Sequence, residues 1–289
     1  MKTNHFQKRN SFSLKVLALL STIRWKNILF IGLAQYLSFL FAFNNRTTLA
    51  TSILEIKVHL IILSTAFILA AGYIINNFYD LEKDLINRPF RTRFQNLISN
   101  GFKLKFYFLL NSIGLSIAYL ASWRIFTFFI FYTFLLWLYS HKMSKIVFIR
   151  ELTASFLTVL AFFSLALYFK IINVSFILYG TSLFFTLFAR ELYKDIIWIK
   201  GDIIQGYQSV ASTKGIHFSS QVFQILLLSS CTFDIILYTY LPRNAIFWII
   251  LILGILKLIL LLLINRDRKP IHRLLQLLIL IYILGIIWL

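Results

Sequence analysis

Cysteine, proline, glycine and acid are all scarce in this chain. One cysteine, Cys231, among 289 residues excludes an intrachain disulfide and a cysteine metal cluster. It stands inside an apolar run and reads as a small apolar side chain. Three prolines and ten glycines leave little to interrupt long helices, which favours helices over a barrel. Charged residues are only 13% of the chain, against about a quarter in a soluble domain. Hydrophobic residues are 60%, and the mean hydropathy is +0.81. A soluble core of this length cannot hide so many Ile, Leu and Phe side chains, so the expected class is an all-α integral membrane protein.

Acids are the scarcest charge: 10 against 29 Lys and Arg, a net charge of +19. Such an excess fits nucleic acid in principle, but the cations sit in short connections between apolar runs, where they encode topology. No nucleic-acid partner is expected; membrane lipids are. Nine spans are predicted, at 22–43, 58–79, 104–121, 124–140, 147–169, 174–193, 218–240, 244–264 and 271–289. Sorted by side, 23 cations fall with the N-terminus and five opposite, with Lys257 inside a span. That bias places the N-terminus in the cytoplasm and supports an odd span count. The basic start lacks a small-x-small site, and Arg24 and Lys26 follow at once, so it is not read as a cleaved signal. With no organellar presequence evident, a bacterial cytoplasmic membrane is the expected location, and 1–289 is expected to form a single polytopic domain.

Two connections exceed the usual length of a helix–helix link: 80–103 and 194–217. Each opens with acids. In "NNFYDLEKD", Asn76, Asp80 and Asp84 recur every four residues, so a continuing helix stacks two carboxylates and an amide oxygen on one face. Glu82 and Lys83 point elsewhere. In "ARELYKDIIWIKGD", Asp195 and Asp202 lie two turns apart, with Glu191 one turn before Asp195. Hard oxygen ligands of this kind suit Mg²⁺, which prefers one or two carboxylates plus substrate phosphates. Facing acid clusters repel unless cations sit between them. Metals bridged to a diphosphate meet that need, with Arg and Lys on the outer oxygens. Such a site ionises an allylic diphosphate beside an apolar cavity for the tail.

On these residues the chain resembles the UbiA-type intramembrane prenyltransferases. Asn76-Asn77-Phe78-Tyr79-Asp80-Leu81-Glu82-Lys83-Asp84 is similar to the family's N-D-x-x-D-x-x-x-D, and Lys194-Asp195-Ile196-Ile197-Trp198-Ile199-Lys200-Gly201-Asp202 to its K-D-x-x-D-x-x-G-D. "LYSHKMSK", Leu138 to Lys145, resembles its Y-S-x-x-x-K loop. The resemblance implies nine helices around a central cavity. It also implies Mg²⁺-dependent transfer from a polyprenyl diphosphate donor to a small aromatic or lipid acceptor. Asn76, Asp80, Asp84, Asp195 and Asp202 are the expected metal ligands, with Asp80, Asp195 and Asp202 catalytic. Arg88, Lys142 and Lys194 are the expected diphosphate contacts, and Tyr139, Ser140 and Trp198 the acceptor pocket. The chain departs from the family pattern at Asn77, which points off the ligand face, and at Trp198, where an Asp would be a further ligand.

Other polar residues have plainer readings. Arg88, Arg91 and Arg93 serve equally as topology determinants, and His141 as a loop residue. Arg150 and Glu151 set the start of the fifth span. Asp234 lies toward the outer end of its span, as a functional acid or a structural hydrogen-bonding group. The Phe-rich fourth span reads as lipid-facing. The competing readings are a non-catalytic or decayed relative, which Trp198 favours, and a transporter; a transporter would place polar or broken elements near mid-membrane, whereas these acids gather at one face.

Overall fold

The computed structural model of the protein describes residues 2–43, 55–171, 173–204, 208–240, 243–263 and 268–286. Arg46 and Arg266, two cations of the charge balance, and the last three residues of the final expected span lie outside these. Among the described residues every regular element is helical. In chain order they are α1 (Lys2–Thr22), α2 (Trp25–Leu37) with a π-helical end Ser38–Phe43, α3 (Ile56–Tyr79), α4 (Leu81–Asn87), α5 (Pro89–Gln95), α6 (Asn100–Ala121) and α7 (Trp123–His141). A 3₁₀ turn, Met143–Lys145, leads to α8 (Ile149–Phe169), α9 (Val174–Ile204), α10 (Val210–Tyr240), α11 (Arg243–Leu263) and α12 (Arg268–Gly285).

Among the described residues six stretches are long and apolar enough to cross a membrane: Trp25–Ala42, Ile56–Tyr79, Asn100–Ala121, Trp123–Lys145, Ile149–Phe169 and Val210–Tyr240. Trp248–Leu263 and Ile271–Gly285 are shorter apolar helices. α9 has 31 residues, about 46 Å of helix at 1.5 Å per residue, but hydroxyls and the acidic motif dilute it.

The helices depart from the expected spans at three points, each with a local cause. The first span begins three residues late, at Trp25, because Arg24 takes a positive φ of 52° between α1 and α2. The connection 80–103 is not a loop; it holds α4 and α5, the latter begun by Pro89, where a proline has no N–H to waste. The connection from 194 starts ten residues later than its first acid, since α9 continues to Ile204. Nothing in "ELYKDIIWIK" stops a helix, and Glu191 pairs with Lys194 one turn on at 2.6 Å. A further break falls at Gly215, whose φ of 86° and ψ of 165° interrupt α10; only glycine takes such a conformation at little cost.

The chain divides into two compact units. The first holds residues 1–32 and 60–141. Its core packs Ala70, Ala71 and Ile74 of α3 against Leu110 of α6, with Phe67, Phe106 and Tyr107 around them. Close approach rests on small residues: a Cβ on Gly114 would stand 2.8 Å from Ile68, and Ser64 donates to the Gly114 carbonyl at 2.7 Å, a contact that suits helices in lipid. α7 presents Phe131, Phe134 and Trp137 outward and buries Phe129 and Tyr132, as a lipid-facing span should. The second unit holds 33–59 and 142–289. Within it α9 packs against α8, α10 and α12. Phe163 of α8 fills the space over Gly180, where a Cβ would come within 2.3 Å of its ring.

Candidate active site

In the first unit, the first motif spans the end of α3 and the start of α4. Asp80 is the turn residue between them, at φ −93° and ψ 8°. The expected unbroken helix is therefore interrupted, yet the register survives. The Asp80 amide donates to the Asn76 carbonyl at 2.9 Å and the Asp84 amide to the Asp80 carbonyl at 2.9 Å. The side chains follow: the Asn76 amide donates to Asp80 Oδ2 at 2.5 Å. Burial and the neighbouring Asp84 charge push the Asp80 carboxyl above the usual carboxylate range. Glu82 is exposed.

Asn77 turns the other way, into the packing. Its amide donates to Gln95 Oε1 at 3.1 Å and its oxygen accepts from Lys103 Nζ at 2.9 Å. Gln95 in turn donates to the Ser21 carbonyl at 3.0 Å, so Asn77 ties α5 and α1 to α3. Three cations gather beside the motif: Arg91 is held below the usual guanidinium range by burial and by Arg24 and Arg88, and Asp84 opposes that shift. Arg91 also donates to the Ser21 carbonyl at 3.1 Å. Arg88 is the residue between α4 and α5. Arg24 lies 5.1 Å over the Tyr73 ring. Sequence reasoning took Arg24 for a topology charge only; its place at a helix junction was the available signal.

Tyr139 and Ser140 lie on the last turn of α7. Ser140 is buried and donates to the Leu136 carbonyl at 2.9 Å. His141 is not a loop residue: it ends α7, stacks on Trp137 at 5.2 Å and meets the edge of Tyr79 at 5.4 Å. In the second unit, Lys142 is exposed at the start of the 3₁₀ turn.

The second motif lies on α9 and finds its partners on α8. Arg150 bonds Asp195 Oδ1 at 2.5 Å and Glu151 Oε1 at 2.8 Å. Glu151 is within hydrogen-bonding reach of Asp195, and the Asp202 charge acts on the same guanidinium. Asp195 is 7%, Glu151 1% and Asp202 1% exposed. Glu191, which shares the helix with Asp195, goes elsewhere, pairing with Lys194 at 2.6 Å and Arg190 at 3.5 Å. Lys194 is therefore already bound to a carboxylate. Trp198 is half-buried on the turn between Asp195 and Asp202. Arg150 and Glu151 do start their span, as expected; their turn toward Asp195 was not expected. Phe148 directs it. This bulky residue begins α8 at φ 64° and ψ −38°, a conformation that costs about 1–3 kcal/mol and is held against Phe218 at 6.3 Å.

One guanidinium faces the Asp195 and Glu151 carboxylates, and the Asp202 charge acts on it as well. Neither Asp195 Oδ2 nor Glu151 Oε2 meets a hydrogen donor among the described residues. Buried oxygens in that condition are costly and suit a cation. Among the described residues no three Asp, Glu, His or Cys side chains form a complete metal cage. Mg²⁺ is usually held by one or two carboxylates with substrate phosphates completing its shell. The residues of both motifs fit such an ion.

The UbiA prenyltransferase family model matches residues 36–281. A digeranylgeranylglyceryl phosphate synthase of Methanobrevibacter smithii is 30% identical over 229 residues, 76% of this chain and 81% of its own length. One from Thermococcus sibiricus is 32% identical over 168 residues, 58% of this chain and 60% of its own length. A solved structure of a UbiA homolog from Archaeoglobus fulgidus, bound to GPP and Mg²⁺, has a TM-score of 0.70 at 17% identity and covers 94% of this chain and 100% of its own. This chain belongs to the UbiA prenyltransferase family.

Proposed function

We propose that the protein transfers a prenyl group from an allylic diphosphate to a prenylated glyceryl phosphate within the membrane. The second motif is the observation that carries this reading: Glu151, Asp195 and Asp202 are buried around Arg150, and Asp195 Oδ2 and Glu151 Oε2 meet no hydrogen donor among the described residues. Asn76, Asp80, Asp84, Asp195 and Asp202 are the residues that would hold Mg²⁺. When bound, the metal supplies positive charge to a departing diphosphate.

The chain's own groups do the rest. Arg24, Arg88 and Arg91 gather beside Asp84, and their planar donors suit outer phosphate oxygens. Arg88 remains a proposed diphosphate contact, and Lys142 with it. Lys194 is a weaker candidate because Glu191 already holds it. Trp198 presents a flat apolar face between two acids; near an allylic cation such a face contributes on the order of 0.5–2 kcal/mol. It is a proposed acceptor-pocket residue, as are Tyr139 and Ser140.

The relatives' name supports the acceptor class, since their product carries a glyceryl phosphate. An aromatic acceptor, the other expectation, has no comparable support. The relatives are archaeal, and a bacterial membrane has no support from them.

Mass spectrometry of products tests the reading. Purified protein is given geranylgeranyl diphosphate, Mg²⁺ and, in turn, hydroxybenzoate, dihydroxynaphthoate and geranylgeranylglyceryl phosphate. The expected product forms only with the glyceryl phosphate and disappears in EDTA. A prenylated aromatic product instead would overturn the acceptor. An absence of product with a wider panel would favour a non-catalytic member of the family, for which Trp198 in place of an acid is the motive.

A further inference from the structure

Deep in the second unit is a polar cluster that the proposed chemistry does not use. Lys257 of α11 and Tyr282 of α12 are fully buried, and Asp234 of α10 is 3% exposed. Lys257 Nζ donates to Asp234 Oδ2 at 2.5 Å, Ser230 Oγ at 2.6 Å and the Tyr282 hydroxyl at 2.7 Å. Its three donors thus have three acceptors. The Tyr282 hydroxyl donates to Asp234 at 3.0 Å. α9 joins through Ser182, whose hydroxyl lies 2.5 Å from Asp234 Oδ1 and 2.5 Å from the Tyr282 hydroxyl. Thr186, one turn on, meets Ser230 at 2.8 Å. Tyr179 donates to the Tyr282 carbonyl. Four helices therefore each supply at least one member.

A buried ion pair is weak evidence of added stability, because apolar side chains of equal volume often do as well or better. Its best-attested use is to fix register. Register needs fixing here. α11 reads "AIFWIILILGILKLILLLL" and α12 "LLQLLILIYILG", nearly uniform aliphatic surfaces that would pack almost as well after sliding one turn. A one-turn slip would leave Lys257 or Asp234 without its partner in hydrocarbon, a costly state.

The lock also points at the acidic motif. Ser182 and Asp195 are on one unbroken helix. Thirteen residues separate them, roughly 20 Å along the axis and roughly 220° around it at 1.5 Å and 100° per residue. Asp202 falls at roughly 200°. The cluster thus grips the face of α9 opposite the one that meets Arg150.

We propose that Ser182, Thr186, Asp234, Lys257 and Tyr282 form a register lock, a set of positioning residues that fixes the depth and rotation of α9 and so presents Asp195 and Asp202 to their ligand. The proposal rests on the reading of Asp195 and Asp202 as metal ligands.

The test is Mn²⁺ binding, read by electron paramagnetic resonance on the full chain in lipid nanodiscs with geranyl diphosphate present, beside a thermal melt of each variant. Ser182→Ala/Thr186→Val removes the two α9 hydroxyls from the cluster and leaves the Asp234–Lys257 pair and the Tyr179 bond intact. The expected result is an unchanged melt and a Mn²⁺ dissociation constant raised at least fivefold. Thr186→Ser, which keeps its hydroxyl, should bind as the native protein does. Native affinity in a folded Ser182→Ala/Thr186→Val would overturn the lock. If that variant does not fold, Ser182→Ala alone decides: a threefold loss supports the lock and native affinity overturns it. Asp195→Asn separates the two levels. Native Mn²⁺ affinity there would overturn the metal-ligand reading and the lock together, whereas a loss there with none in the Ser182 variants overturns the lock alone.

Discussion

Arg150 and Asp195 come from different helices and lie 2.5 Å apart. Removing a buried cation from such a pair typically costs about 3–5 kcal/mol, because the partner is left charged and unpaired. Arg150→Leu should therefore lower the melting temperature. It should also make the fold more dependent on divalent metal, since a ligand that binds only the folded state stabilises it, and the variant has the greater deficit of positive charge. Melts with and without millimolar Mg²⁺ read this directly; an equal Mg²⁺-induced gain in native and variant protein would show that Arg150 does not share a site with the metal. At the first motif, Asp80→Asn preserves size but removes one charge from a ligand set. The expected loss of Mg²⁺-dependent prenyl diphosphate affinity is at least tenfold, measured by calorimetry against an EDTA control. Trp198→Ala should do the reverse: it should reduce turnover or alter acceptor choice and leave that binding largely intact. If Trp198→Asp turned an inert protein into an active one, Trp198 would be a lesion and not a wall. The acids themselves were readable because their spacing matches the helical repeat. Arg150 and Glu151 were not, since no local pattern links the start of α8 to the end of α9.

Long apolar runs made the helices readable, because a helix satisfies its own backbone in lipid and needs only length and hydropathy. Helix junctions were harder. Asp80 ends α3 without a proline or glycine, and α9 outruns its apolar stretch because its charges pair along its own surface. The contact between α8 and α9 depends on Gly180, which admits the Phe163 ring. In lipid such close approach replaces the hydrophobic drive. Gly180→Ala puts a methyl where the ring sits, and overpacking of this kind costs about 1–3 kcal/mol. The expected outcome is a lower melting temperature, partly recovered in Gly180→Ala/Phe163→Leu, where the space is returned. Gly215 makes the opposite case. Its site is open, so a Cβ meets nothing within 4 Å, but its φ is +86°. Gly215→Ala should therefore destabilise through backbone strain, and no second substitution that makes room should recover it.

Across the whole molecule the two acidic motifs fall in different compact units, yet the proposed chemistry gives them one ligand. That arrangement has a thermodynamic signature. Substitutions at independent sites add, whereas residues that serve one bound group couple by about 0.5–3 kcal/mol. Asp80→Asn and Asp195→Asn, alone and together, form the cycle, with Mg²⁺-dependent geranylgeranyl diphosphate affinity as the readout. If both carboxylates reach the same metal-bound diphosphate, the first loss removes most of what the second would remove, and the double variant binds only slightly worse than the weaker single one. Strict additivity would mean two separate anion or metal sites, one in each unit, and would break the assignment of both motifs to one reaction. The buried Asp234–Lys257 pair extends that cycle. On the proposed register role it touches no ligand and acts only by placing α9, so Asp234→Asn weakens ligation through Asp195. Its loss in diphosphate affinity should therefore be smaller than that of Asp195→Asn and should couple to Asp80→Asn with the same sign. Strict additivity of Asp234→Asn with Asp80→Asn, beside coupling of Asp80 with Asp195, would show that the buried pair does not act through Asp195.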